Sequence, residues 1–214
     1  MTDAGQAHPP SQAGEQIEIV LFDIGGVLAR FSGISVLREL TGAASETEVA
    51  RRWLMSPSVR RFESGACTDH EFAAGMVAEW ELPYSAEEFL AIFPTWLEDP
   101  FDGAEQMIRD ASARVGVGCL SNTNSLQWRG TISQWPLSRY FEYRFLSFEL
   151  GAVKPDPEIY ELAIARLPAP PENVLFLDDN PPNVAHAQAI GLRAEQVGGV
   201  AQARAVLERY GVLA

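Results

Sequence analysis

Four short polar segments in this chain hold residue types that together can handle a phosphoryl group: Asp23 just before Gly25 and Gly26, Ser121-Asn122-Thr123-Asn124, Lys154-Pro155-Asp156-Pro157, and Asp178-Asp179-Asn180. Asp23 offers an anionic oxygen, which serves as a nucleophile, a metal ligand or both. Gly25 and Gly26 permit a turn whose backbone N–H groups approach an anion closely. Ser121 and Asn122 supply neutral donors beside the free N–H groups of a following helix. Lys154 supplies a compact positive charge, and Asp178 and Asp179 are hard oxygen ligands of the kind Mg²⁺ prefers. Each segment alone has a plainer explanation. Asp-x-Gly ends strands, Ser-Asn-Thr-Asn makes turns, a lone Lys is solvated and an Asp pair caps a helix. Four such segments in order, each after an apolar run, are better explained by a shared site that binds a phosphoryl group, offsets its charge and attacks it in line.

The elements that must position these residues are legible as a strand–helix alternation. Apolar runs at Ile17–Phe22, Val115–Leu120 and Asn173–Leu177 read as buried parallel strands. Tyr143–Phe148 and Arg193–Val197 read as weaker ones. Helical patterns follow at Glu105–Arg114, Glu158–Leu167, Pro182–Ile190 and Ala201–Tyr210. Asp156 is placed to cap the second of these, Pro157 stands at its first position, and Gly191 ends the third. The expected class is therefore α/β, a Rossmann-like three-layer core built on a mainly parallel sheet. Ligands of such sheets bind beyond the carboxyl ends of the strands. Residues 32–100 show no convincing strand. Apolar side chains there recur at helical spacing, as in Phe72, Met76, Val77 and Trp80, which predicts a small α-helical cap over the active-site end. The expected organisation is a disordered tail over 1–15, a catalytic core over 16–31 and 101–214, and the cap over 32–100.

The chain has 214 residues and a net charge of −13, from 16 Lys+Arg against 29 Asp+Glu. That balance argues against nucleic acid and anionic membranes as partners, both of which call for basic surface. Cys67 and Cys119 lie far apart and outside metal-ligand spacing, so no disulfide framework is expected and a reducing cytoplasm is the default. Residues 1–15 lack the basic and apolar regions of a signal peptide, and no apolar run is long enough to span a bilayer.

Asp23-Ile-Gly-Gly-Val, Ser121-Asn-Thr-Asn, Lys154-Pro and Asp178-Asp-Asn resemble the four motifs of the haloacid dehalogenase-like hydrolase superfamily, in its subfamily IA with a helical C1 cap. The likeness covers nearly the whole chain after residue 16 and is nearest to the bacterial α-D-glucose-1-phosphate phosphatase group. In the cap, Phe62-Glu63-Ser64-Gly65 with Glu71-Phe72 resembles that group's segment facing the active site. The resemblance implies a Mg²⁺-dependent phosphatase of a small phosphorylated metabolite, a sugar phosphate among the options, working as a monomer or homodimer. It implies that Asp23 forms an aspartyl-phosphate and that Lys154 offsets its charge. Ser121, Asn122, Gly26 and Glu63 contact the phosphate or substrate, while Asp23, the Gly25 carbonyl, Asp178 and Asp179 hold Mg²⁺. Two other readings are a haloacid dehalogenase acting on carbon without metal, and a non-catalytic protein binding a phosphorylated ligand. Many phosphatases of the superfamily carry a second Asp where this chain has Gly25, and its absence removes a proton-transfer group worth about 10²–10⁴ in rate. Glu63 and His70 are the expected substitutes. Specificity is expected around Arg60, Arg61, Glu63, Gly65 and Trp53.

Overall fold

A computed structural model describes residues 16–214, so the tail expected over 1–15 lies outside the described residues. In chain order the elements are β1 (Ile19–Phe22), β2 (Ala29–Phe31), α1 (Gly33–Thr41), α2 (Glu46–Met55), α3 (Pro57–Glu63), α4 (Asp69–Trp80), α5 (Ala86–Ile92), β3 (Leu97–Pro100), α6 (Ala104–Ser112), β4 (Gly116–Ser121), α7 (Ser125–Gly130), β5 (Tyr143–Leu146), α8 (Ser147–Leu150), α9 (Pro157–Ile164), β6 (Val174–Asp178), α10 (Pro181–Ala189), β7 (Arg193–Gln196) and α11 (Gly199–Arg209), with short 3₁₀ turns between some of them.

Five strands form one parallel sheet in the order β5-β4-β1-β6-β7. Strand side chains alternate between faces, and both faces are covered. Val20, Phe22, Cys119 and Leu177 pack against α6 and α11 through Met107, Ile108 and Leu207. Leu21, Leu120 and Phe176 pack against α9 and α10 through Ile159, Tyr160 and Val184. This is the three-layer Rossmann-like α/β arrangement, with β1 at its centre. From β1 the chain goes to β4 on one side and later to β6 on the other, which makes the carboxyl end of β1 the sheet's switch point.

Helices α1–α5 enclose a separate apolar cluster that includes Leu37, Trp53, Phe62, Phe72, Met76 and Phe93. Local sequence starts these helices. Ser45, Ser56, Thr68 and Ser85 are N-caps, and Thr68 with Glu71 and Ser85 with Glu88 form reciprocal capping boxes. The Phe62 and Phe72 rings stack at 4.0 Å, joining α3 to α4.

The structure departs from the sequence expectations at three places. Leu97–Pro100, inside the segment expected to hold no strand, pairs antiparallel with Ala29–Phe31 where the chain enters and leaves the helical region. Leu-Glu-Asp-Pro has no β pattern, and a partner far along the chain supplies the pairing. The expected strand Tyr143–Phe148 ends at Leu146, because Ser147–Leu150 turns into α8. Asp156 holds the N-cap position of α9 but makes no capping bond; its carboxylate instead pairs with Arg60 of α3 at 2.5 Å.

Candidate active site

The sheet register brings the four polar segments to one point. Phe22 lies opposite Cys119 on one side and Leu177 on the other, so Asp23 emerges level with the ends of β4 and β6. The Asp23 backbone N–H donates to Leu177 O at 2.8 Å, fixing where the side chain leaves the sheet. Lys154 reaches this point from the loop after α8. Its ammonium is buried between Asp23 Oδ1 at 2.9 Å and Asp178 Oδ2 at 2.6 Å, and it donates to Leu120 O at 2.9 Å. Asn122 holds the lysine backbone at both ends: its Oδ1 accepts from Lys154 N at 2.8 Å and its Nδ2 donates to Lys154 O at 2.9 Å. Asp178 is fully buried and accepts further bonds from the Asn180 N–H at 2.8 Å and from Asn183 Nδ2 at 3.0 and 3.1 Å. Asn183 in turn is held through its backbone carbonyl by the Tyr160 hydroxyl at 3.0 Å.

Charge in this site is crowded: Lys154 and Asp178 are buried, while Asp179 is exposed at its edge. Burial pushes the Asp23 carboxyl up to about 6, partly offset by Lys154 and reinforced by Asp178. Desolvation, then the charges of Asp23 and Asp178, push Asp179 up to about 7. Burial opposes the Lys154 charge, but Asp178 and Asp23 outweigh it and hold the ammonium well above its ordinary range. Oxygens of Asp23, Asp178 and Asp179 all lie within 4.8 Å of one another. Asn183, whose Nδ2 bonds Asp178, leaves its Oδ1 buried with no hydrogen-bond partner. Three converging carboxylates, with no His or Cys in the group among the described residues, make a donor set suited to a hard cation such as Mg²⁺.

Asp23, Gly25, Gly26, Glu63, Ser121, Asn122, Lys154 and Asp179 all line one cavity of about 400 Å³. Asp178 lies behind it, beneath Lys154. Gly26 is present for a different reason than expected. Its N–H is engaged by Ala29 O at 2.8 Å and is not offered to an anion. Its φ of 75° favours glycine, and a Cβ there would overlap the Asp179 carboxylate. Of the two expected substitutes for a second Asp, Glu63 lines the cavity from α3. Its carboxyl is pushed up to about 8, by burial first, against the pull of Lys154. His70 is exposed and lies 3.5 Å from Glu87, away from the cavity. Arg60 is occupied by Asp156, and Arg61 is exposed. Gly65 has a φ of 72°, and a Cβ there would meet Phe148 O at 2.6 Å, so this glycine lets α3 close onto α8. The sequence reading missed Gln127 and the apolar wall formed by Phe31, Ile34 and Leu54. Their apolar character alone suggests packing, and no local signal in the sequence marks them as lining a cavity.

Residues 17–191 match the haloacid dehalogenase-like hydrolases, and the chain belongs to that family of hydrolases. It is 28% identical over 197 residues to phosphatase MT3486 of Mycobacterium tuberculosis, covering 88% of this chain and 90% of that one. It is 36% identical over 73 residues, 34% of this chain, to rat bifunctional epoxide hydrolase 2, of whose length those residues span 13%. In fold it is similar to a HAD family enzyme of Bacteroides thetaiotaomicron crystallised with magnesium and inorganic phosphate. The TM-score is 0.67 at 23% identity, covering 84% of this chain and 93% of that one. No helix among the described residues is long and apolar enough to cross a membrane.

Proposed function

We propose that this chain is a Mg²⁺-dependent phosphomonoesterase that hydrolyses a small phosphorylated metabolite through an aspartyl-phosphate on Asp23. The observation that carries the reading is the Asp23 carboxylate at the switch point of the sheet, 2.9 Å from a buried lysine and converging with two further aspartates. Attack on carbon, as in a dehalogenase, needs no cation, whereas three converging carboxylates with one lysine repel one another without one. The names of the relatives point the same way: a phosphatase, and a fold neighbour holding magnesium and phosphate.

In this mechanism an oxygen of Asp23 attacks phosphorus, and the bond to the leaving oxygen breaks with its electron pair staying on that oxygen. Glu63, protonated at neutral pH, gives the leaving oxygen its proton. Lys154 offsets charge on Asp23 and the phosphoryl oxygens, and the Ser121 hydroxyl donates to one of those oxygens. Water then adds to phosphorus while Glu63 takes its proton, the Asp23–phosphorus bond breaks, and inorganic phosphate leaves. Asp23, Asp179 and the Gly25 carbonyl, backed by Asp178, would hold Mg²⁺, which supplies Lewis-acid stabilisation of the phosphoryl charge.

The test is Asp23→Asn. Hydrolysis of 4-nitrophenyl phosphate with Mg²⁺ should fall to background while the circular dichroism spectrum is retained. Turnover at the wild-type rate would overturn the mechanism.

A further inference from the structure

The cavity has two unlike ends. The phosphoryl end is polar and charged, as described above. The other end is walled by Phe31, Ile34, Trp53, Leu54, Leu97 and Phe101. Of these, Phe31, Ile34, Leu54 and Phe101 are only partly buried by the protein itself, so their carbon surface is left for whatever enters. Arg30 at the rim is exposed and lies 3.5 Å from Glu98, a solvent-screened pair outside the apolar wall. A second observation points to a ligand in this cavity. Gln127 and Thr123 line the same cavity and are 7% and 2% exposed. Gln127 Nε2 and Thr123 Oγ1 have no hydrogen-bond partner among the described residues. Buried donors left unpaired are costly, and those that persist are commonly satisfied by a ligand or by water.

We infer that the alcohol portion of the substrate is a largely apolar, ring-bearing group with one or two hydrogen-bond acceptors, and that the enzyme selects it over a polyhydroxylated sugar. The inference rests on the phosphatase reading of the same site and names its substrate class. An apolar cavity of about 150 Å³ takes a benzene-sized ring, so a 400 Å³ cavity has room for a ring beyond the phosphoryl group. A sugar in that place would set hydroxyls against carbon on most sides and give up hydrogen bonds to water that two donors cannot replace. An apolar ring gives up none and meets a wall already shaped for it.

The test compares 2-phenylethyl phosphate with glucose-6-phosphate, both primary alkyl esters of similar leaving-group basicity, in the presence of Mg²⁺. Expected is a kcat/KM at least about tenfold higher for the phenylethyl ester, in the range a hydrophobic pocket contributes. Leu54→Asn, at a half-buried position of the wall, should lower that ratio severalfold, and Ile34→Asn serves as a second variant should the first fail to fold. Equal or higher kcat/KM for the sugar phosphate would overturn the inference and leave the phosphatase reading standing. A preference unchanged in folded wall variants would also overturn it. No turnover of either ester, nor of 4-nitrophenyl phosphate, would overturn the phosphatase reading and this inference with it.

Discussion

Replacing Glu63 by Gln should separate substrates by the basicity of their leaving groups. Gly25 stands where a second aspartate would donate a proton, and Glu63 is the cavity-lining carboxyl outside the aspartate cluster that is mostly protonated at neutral pH. With its pKa at about 8, roughly nine-tenths of the enzyme carries that proton at pH 7. A positioned general acid is worth about 10²–10⁴ for an alkoxide leaving group, or roughly 3–5 kcal/mol at 1.36 kcal/mol per decade. A 4-nitrophenolate leaves without a proton and should be affected by less than about tenfold. The assay is kcat/KM across a series of aryl and alkyl phosphates. Its slope against leaving-group pKa should become much steeper in Glu63→Gln, and the fall in alkyl-ester activity above about pH 8 should vanish. The structure also offers a rescue. A Cβ at Gly25 meets only the Phe31 Cβ, at 3.8 Å, and the backbone there is not left-handed, so Gly25→Asp fits. Placed in the Glu63→Gln background, it should restore alkyl-ester turnover and flatten the slope. Equal losses for aryl and alkyl esters in Glu63→Gln would refute the proton-transfer role.

Metal binding should show in stability, with a pH dependence of definite sign. Asp23, Asp179 and Glu63 titrate at about 6, 7 and 8 in the folded chain, against ordinary values of 3.8, 3.8 and 4.5. Between about pH 4 and 8 the metal-free folded state therefore holds more protons than the unfolded state, and its stability falls as pH rises through that window. A cation replaces those protons, so Mg²⁺ at about 100 times its Kd should add about 2.7 kcal/mol, or roughly 5–10 °C in Tm, at pH 8 and clearly less at pH 5.5. Differential scanning fluorimetry with and without EDTA checks this, and equal shifts at both pH values would contradict it. Gly65→Ala puts a Cβ in a left-handed residue 2.6 Å from Phe148 O. It should cost at least about 1–2 kcal/mol, a Tm loss of roughly 3–8 °C, and raise KM by loosening α3 over the site; an unchanged Tm would mean that α3 and α8 do not meet so closely.

What was legible in the sequence was local. Asp23 follows four buried strand residues and precedes two glycines; Ser121 and Asp178 end strands in the same way; so the sheet, the switch point and the convergence of these segments with Lys154 could be read from short windows. What was not legible depends on partners far along the chain. The antiparallel pair joins Ala29–Phe31 to Leu97–Pro100, and nothing in Leu-Glu-Asp-Pro marks it as a strand. Asp156 sits at a good capping position, yet its carboxylate goes to Arg60, 96 residues away. Gly26 shows how a glycine can be required for a reason its neighbours in sequence do not suggest. A glycine after a strand-end aspartate suggests an anion-binding N–H, but that N–H is engaged by Ala29, and Gly26 instead leaves room for the Asp179 carboxylate.

That crowding bears on how a chain of net charge −13 comes to accept a phosphate ester. Asp23, Asp178 and Asp179 bring three negative charges to within 4.8 Å and Lys154 returns one, leaving the cluster at −2 when all are ionised. Glu63 adds nothing near pH 7, because burial keeps it protonated. A dianionic phosphate brought to this cluster would face net repulsion at the short distances involved. A divalent cation would cancel that deficit, leaving Lys154 as surplus positive charge toward the phosphoryl oxygens. On the proposed function, the charge count predicts that the cation binds before the ester. The single buried lysine, held in place by Asn122 and Leu120, holds Asp23 and Asp178 together in the absence of any ligand.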